Sequence, residues 1–533
     1  MAKVTSVNFK GEERGEDEGY VAGRYSHLES LRFNHLLRAR DCAKITIPML
    51  MPPAGHSSAT KFTTPYQSVG ARGVNNLASK LLLALLPMNT AFFKLQVDDA
   101  ILEQFGGSRG EVELTLASIE RTIIADINGS STRVAAFEAL KQLVVSGNVL
   151  LNLPKEGGMR VFRLDRYVVK RDPMGNPLDI IIKEELAPTV IEEEVRIACD
   201  VPNPEENSDE KSVDLYTHVE RDQEVGGWEV YQEINGVEVP ASRGSYPLDK
   251  CPWMPLRLIT VDGEDYGRSY VEEYLGDLKS LEGLSKAVLE GSVAMAKMVW
   301  LVNPNGTTNK KTISAASNNA VTEGNAADVT VLQANKFGDF RVAQETAKEI
   351  TSRLASAFLL NSSIQRNGDR VTAEEIRYMA SELEDALGGI YSVLTQEFLL
   401  PLLQREMVRM AKAKRIPSLP KGVVKPVIIT GIEAIGNNQE LEKLDMFTRD
   451  IMSLGQTAIA MLNMDELLKR RAALAGIDVK GLIKSPDDLK AEQQQAQMMQ
   501  LAQAATPNAV KGISDNINQR QEQAAPPSPE GMM

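Results

Sequence analysis

Cysteine is scarce in this chain. Cys42, Cys199 and Cys251 are the only three in 533 residues, an odd and scattered set with no metal-ligand spacing. That excludes a disulfide framework as the organising principle, and the three read as buried, inert thiols. No G-x-x-x-x-G-K-[ST] string occurs, so the backbone cradle and lysine of a P-loop motor are missing. GARG at Gly70–Gly73 opens no βαβ unit and reads as a close-packing or turn feature. Histidine is rare: His27, His35, His56 and His218, with no H-E-x-x-H pattern. Each reads as an ordinary polar or partner-facing residue. There is no G-x-S-x-G elbow and no Cys–His signature. The expectation is no enzyme, no cofactor and no metal site.

Long apolar runs are lacking as well. The most apolar stretch, Leu81–Pro87, is too short to span a bilayer, and MAKVTSVNFKGEERGEDEG has no apolar signal-like core. No membrane is expected, and assembly is expected in a reducing cytoplasm. Basic charge is in deficit: 59 Lys and Arg against 72 Asp and Glu, a net −13. This argues against gripping nucleic acid over a broad basic face. It permits a surface past which DNA slides, because an acidic wall lowers sticking.

What is present is a mixed α+β pattern, mainly helical. Residues 1–18 are Gly- and Glu-rich and read as a disordered tail. Helical spacing covers Tyr20–Ala43, and a second helix carries Val69, Leu77, Leu81 and Leu85, with Pro65 at an early helical position and Pro87 as its stop. Two more helices fit Glu111–Asn128 and Arg133–Ser146, with Gly147 near the C-terminus of the second. Strands follow at VLLNLP, MRVFRL, YVVKRD and LDIIIKEEL, then VDLYTHVER, WEVYQEING and VEVP. The acidic stretch Glu192–Asp214 interrupts them, with Pro202 and Pro204 in an exposed loop.

Beyond Gly267 one long helix is expected, with Val271, Tyr274, Leu275, Leu278, Leu281, Leu284 and Val288 on its apolar face and Glu272, Glu273, Asp277, Glu282 and Glu290 toward solvent. A strand, MVWLV, enters a turn at Pro304–Gly306, a polar segment containing VTVLQA follows, and Val342–Leu360 returns as a helix. Next come a polar loop, SSIQRNGDR, and a very long helix from Thr372, its N-cap, bending near Gly388-Gly389. Pro417, Pro420 and Pro426 mark a boundary, Val427–Leu489 reads as a smaller helical domain, and Lys490–Met533 is a Gln-, Ala- and Pro-rich tail. A long helix, a small polar module and a return helix place that module on a two-helix stalk. A monomer gains little from this, whereas neighbouring stalks in a ring can pack side by side. A coiled-coil hairpin in a monomer or dimer is the plain alternative.

Several strings closely resemble the portal, or head–tail connector, proteins of autographivirus-type short-tailed phages. They are TTPYQSVGARGVNNLASKLLLALLPM, AFEALKQLVVSGNVLLNLP, LDRYVVKRDPMGN, DGEDYGRSYVEEYLGDLKSLE, LVNP, RVTAEEIRYMASELEDALGGIYSVL and TGIEAIG, in the family's order from about Tyr25 to Ile435. The resemblance implies a phage portal fold of wing, stem, clip and crown, assembled as a twelve-subunit ring around a DNA channel. By position, 19–266 and 372–426 resemble the wing, 267–299 and 342–360 the stem helices, 300–341 the clip, 361–371 the loop narrowing the channel, and 427–489 the crown. It further implies a ring at one capsid vertex of the virion that passes double-stranded DNA in packaging and ejection. Implied partners are the terminase large subunit, the tail adaptor, scaffolding and major capsid protein, and internal core proteins.

On that reading Arg366 and Arg370 are the candidates for touching DNA, though Arg370 can equally pair with Glu374 on the helix it precedes. Lys310 and Lys311 on the clip are candidates for facing the channel or docking an acidic partner, or are simply solvated. Trp300, at the stem–clip junction, is a further docking candidate or a packing anchor. The rivals are another virion ring such as a tail adaptor, a packaging enzyme, and a host scaffold with a helical hairpin.

Overall fold

The computed structural model describes residues 20–57, 59–87, 91–97, 109–155, 158–203, 212–222, 226–296, 299–332, 337–360, 383, 389–417, 424–428, 444–454, 463–475 and 495–496. They form two compact units, one built from Met1–Gly107 and Thr115–Lys443, the other from Ser108–Leu114 and Leu444–Met533.

The first unit opens with helix α1, Tyr20–Ile45, which buries Val21, Tyr25, Leu28, Arg32, Leu36 and Ala39 at steps of three and four. Its apolar stripe packs on Val168 and Ile181 of a sheet. Arg32 is fully buried in that interface. Its charge is tolerated because one guanidinium nitrogen donates to the Leu164 and Tyr167 carbonyls (2.7 and 2.5 Å) and the other to Glu29 (2.9 Å).

Helix α2 is Val69–Leu85. It starts later than expected, so Pro65 lies before it. The Gln67 side chain caps the first turn, accepting from the Gly70 amide at 2.9 Å. GARG is indeed a close-packing feature. A Cβ on Gly70 would stand 2.9 Å from the Ile45 carbonyl oxygen, and one on Gly73 2.6 Å from the Phe358 ring.

Strand β1 (Phe93–Val97), helix α3 (Arg109–Gly129) and helix α4 (Thr132–Ser146) follow. Helix α4 stops at Gly147, φ +73°, where any side chain would strike the Arg268 backbone. The chain then builds β2 (Asn148–Asn152), β3 (Arg160–Phe162), β4 (Tyr167–Arg171), β5 (Pro177–Leu186), helix α5 (Glu193–Ala198), β6 (Val213–Asp222), β7 (Gly227–Ile234), β8 (Val237–Glu238), β9 (Gly244–Pro247) and β10 (Trp253–Arg257). Antiparallel pairing runs β4-β5-β6-β7-β8, with β9 also on β7, while β10-β2-β3 form a separate sheet. Strands β9 and β10 carry no clear period-2 signal and were not expected. In the acidic stretch Pro202 is exposed, as expected, and Pro204 lies outside the described residues; α5 occupies its start, and Cys199 and Val201 are buried with Ile234 and Val239 in a small satellite core. The apolar positions of the stretch decide that burial over its charge.

The expected long helix after Gly267 is broken. Ser269 caps a single turn, α6 (Tyr270–Glu273), its hydroxyl accepting from the Glu272 amide at 2.9 Å. Helix α7 is Leu275–Ala296. Then come β11 (Val299–Val302), α8 (Lys310–Ala315), β12 (Val329–Leu332) and α9 (Phe337–Ala357), the last beginning five residues before the expected Val342. Helix α10 (Ile390–Leu394) starts at Gly389, φ +93°, the glycine pair where a bend was expected. It continues through a π turn, Thr395–Leu399, into α11 (Leu400–Lys412). The Thr372 cap lies outside the described residues. Pro426 is not a boundary but part of β13 (Val424–Ile428), which pairs antiparallel with β1. Its missing N–H is harmless in a two-stranded ribbon with open edges.

In the second unit residues 444–453 are helical and α12 spans Met464–Ala475. Arg471 pairs with Asp445 at 3.1 Å.

Candidate functional site: a polar lobe on a helical stalk

Helices α7 and α9 run antiparallel as a hairpin. At its base Arg353 meets Asp277 at 3.1 Å, and at its far end Gly291 lies under the Phe340 ring, where a Cβ would approach within 2.1 Å. The same register passes into a ribbon, with Val299 opposite Leu332 and Val302 opposite Val329. The acidic side chains of α6 and α7 are not simply solvated. Glu272 pairs with Arg268 (3.0 Å), Asp277 with Arg353, and Glu282 accepts the Tyr66 and Gln67 amides at 2.9 and 3.1 Å.

The base of the stalk is locked into the first unit. Phe358 is fully buried, with its ring 5.7 Å from Tyr270 and 5.8 Å from Tyr274. Three successive carbonyls that a helix end would leave orphaned are taken up. Tyr270 Oη donates to Ala357 (2.9 Å), and Asn76 Nδ2 donates to Phe358 and Leu359 (3.0 Å each).

The lobe beyond the stalk is held by polar contacts centred on Asp328. Its Oδ2 accepts from the Thr307 amide (2.8 Å), the Thr308 amide (3.2 Å) and both threonine hydroxyls (3.3 and 3.2 Å). Desolvation pushes that carboxyl up, but the bonds from Thr308 and Thr307 outweigh it and hold it below its ordinary value. Thr308 and Asn325 clasp each other at 2.8 and 3.1 Å.

Lys310 and Lys311 open α8, capped by Asn309, whose Oδ1 accepts from the Lys311 amide at 3.0 Å. Both are exposed, and neither has an ion-pair partner among the described residues. The first turn of a helix favours anions, so these cations are not there for the helix's sake. Trp300 sits on β11 opposite Val331 and is 57% exposed, so within one chain it is no packing anchor. The structure brings Lys310, Lys311 and Trp300 onto one lobe. Arg366 and Arg370 lie outside the described residues.

A charged network escaped the sequence reading. His218, read as an ordinary polar or partner-facing residue, is buried between Asp179 (Nε2 to Oδ1, 2.9 Å) and the Tyr231 hydroxyl (3.0 Å), and Asp179 also holds Arg24 of α1 at 3.0 Å. Despite desolvation, His218 and Arg24 keep the Asp179 carboxyl below its usual range. Only the cross-strand register, His218 opposite Tyr231 and Ile181, could have revealed it. Among the described residues no group of His, Cys, Asp and Glu could hold a metal, and no helix is long and apolar enough to cross a membrane.

Residues 18–483 match the family described as bacteriophage head to tail connecting protein. The portal protein of Enterobacteria phage T3 is 43% identical over 504 residues, 93% of this chain and 93% of that protein. That of Escherichia phage T7 is 42% identical over 485 residues, 89% of each. Among solved structures, a chain of the virion of a native gene transfer agent particle is similar over 71% of this chain and 85% of its own. It shares 13% identity with a TM-score of 0.30, too low to bear on the fold.

Proposed function

This chain belongs to the bacteriophage head-to-tail connecting protein family, the portals, and on that premise we propose that it works as a closed homo-oligomeric ring, twelve-membered by its family resemblance, around a channel for double-stranded DNA. Portals are structural proteins of the virion neck, and the role here is mechanical: to pass DNA inward during packaging and outward at infection. The observation that carries the reading is the hairpin's surface. Leu289 and Val293 on α7, Trp300 and Leu301 on β11 and Val342 on α9 are each about half exposed or more. A row of apolar side chains along a projecting stalk is costly in a monomer, at roughly 25 cal/mol per Å² left in water, and becomes favourable once neighbouring stalks cover it.

The lobe at the stalk's end is the docking surface for the terminase large subunit and then the tail adaptor, with Trp300, Lys310 and Lys311 as its contacts. Scaffolding, major capsid and internal core proteins meet other faces of the ring. Arg366 and Arg370 supply weak, salt-dependent contacts to passing phosphates. Electron micrographs of the purified chain test the ring, which should show a central hole without added nucleotide. A chain that stays monomeric at micromolar concentration overturns it. Deleting Asn309–Asn325 tests the lobe: the protein should stay folded and lose adaptor binding, and undiminished binding places docking elsewhere.

A further inference from the structure

A cleft of about 410 Å³ opens where the β4–β5 turn, β10 and the start of α11 converge. Its wall is unusual for so acidic a chain, because three arginines, Arg171, Arg221 and Arg405, face two carboxylates, Asp249 and Glu397. Arg171, 8% exposed, spends its guanidinium on the carbonyls of Asp265, Gly175 and Pro255 at 2.8–2.9 Å, while its backbone amide donates to Asp265 Oδ1 at 2.8 Å. Arg405, 7% exposed, donates to the Lys250 carbonyl at 2.9 Å and lies over the Tyr246 ring. Arg221, on the rim, has no hydrogen-bond or close ion-pair partner among the described residues, and the charge of Asp172 reaches it. Beneath Gly175, Arg257 is 8% exposed, its Nε has no hydrogen-bond partner, and its one ion pair among the described residues is a loose 3.9 Å approach to Glu397. Burial and the neighbouring charge of Arg257 push the Arg171 guanidinium down to about 10. Buried cations left without compensating charge are costly, and a cleft lined by them favours an anion.

One feature selects among anions. Glu397 also lines the cleft, its side chain about one third exposed. A carboxylate oxygen can only accept, so beside it an occupant that offers a donor as well as negative charge is favoured over a bare anion. We propose that this cleft binds a protonated oxyanion of the hydrogen-phosphate class, with Arg405 and Arg221 taking its oxygens and Glu397 accepting its O–H. Sulfate and a phosphodiester carry charge but no such proton. The cleft has room for the anion and several waters, each occupying about 30 Å³.

Tryptophan emission reads the site directly. Trp228 and Trp253 line the cleft, and the third tryptophan, Trp300, lies on the lobe and is removed as Trp300→Phe. In that full-length background, inorganic phosphate should change the emission saturably at constant ionic strength. Sulfate should bind at least about tenfold more weakly, a difference of roughly 1.4 kcal/mol. A short duplex oligonucleotide should not compete. Arg405→Gln keeps a donor for the Lys250 carbonyl and should weaken phosphate about tenfold. Arg221→Gln, on the rim where folding is not at stake, should weaken it in the same direction. Glu397→Gln should bring phosphate and sulfate to similar affinity. A linear response matched by chloride overturns the proposal, as does binding unchanged in both arginine variants. Equal phosphate and sulfate affinity in the unsubstituted cleft, or competition by the duplex, overturns it as well.

Discussion

In helix α4 eleven of fifteen residues are buried, whereas along α7 no described side chain beyond Leu281 is. The return helix tells the same story, burying Ile350, Leu354 and Ala355 near the base and exposing Val342 farther out. The sheet-bearing part of the first unit, the wing of the proposed reading, closes its core within one chain: Ile180, Ile181 and Ile182 are all fully buried in β5. The stalk closes its core only where it meets the wing, around Phe358. Beyond that point it is a scaffold of correct register whose apolar side chains have no cover of their own. The lobe differs again, since its interior is hydrogen bonds to Asp328 rather than packed carbon.

That contrast can be broken first at the joint. Phe358→Ala removes a fully buried ring and should cost about 3–5 kcal/mol, read as a lower denaturant midpoint of the whole wing. A loss under about 1 kcal/mol would mean the stalk base is not part of the wing's core.

Within the wing, Glu120 is a buried carboxylate whose Oε1 accepts from the Leu95 amide at 2.6 Å, and burial pushes its pKa up to about 7. Below the unfolded carboxylate range, near pH 4.3, both states hold the proton and nothing depends on this group. Between there and pH 7 the folded protein keeps a proton the unfolded chain has lost, so stability falls as pH rises through that window. Above it the penalty is constant. Glu120→Gln keeps an acceptor for Leu95 and should stabilise the protein by about 1–3 kcal/mol at pH 8, with a much smaller gain at pH 4. Thermal melts at the two pH values check it, and an equal effect at both would contradict the burial argument.

In the lobe the expected effect is local. Asp328→Ala should leave the wing's melting transition in place while trypsin cuts faster after Lys310 or Lys311. Loss of the wing transition would show that the lobe is not separate from it. Smallest of all is Lys279→Ala, which removes an exposed pair with Asp41 at 3.5 Å and should change stability by less than about 0.5 kcal/mol.

Much of this was legible from the residues. Period-3.6 patterning located α1, α4 and the stalk helices, alternation located β5 to β7, and the GARG glycines were readable as close packing. The pairing of β1 with β13 was not, because it joins Phe93 to Ile428 and turns Pro426 from a boundary into a strand residue. The break at Tyr274 escaped because Ser269 and Tyr274 end a turn by capping, and the apolar period runs through it unchanged. Trp300, Lys310 and Lys311 could be placed on one lobe from sequence. The arginine cleft could not, since Arg171, Arg257 and Arg405 come from three distant segments.

The central claim is that neighbouring copies complete the stalk's core, and native mass measurement of the Leu289→Ser, Val293→Ser double variant tests it most directly. Both positions are more than half exposed in the single chain, so the wing should melt as in the parent protein. The account predicts a parent protein that is a closed ring and a variant that falls to small oligomers or monomer with its wing intact. A variant that assembles into rings of unchanged mass and stability would contradict it.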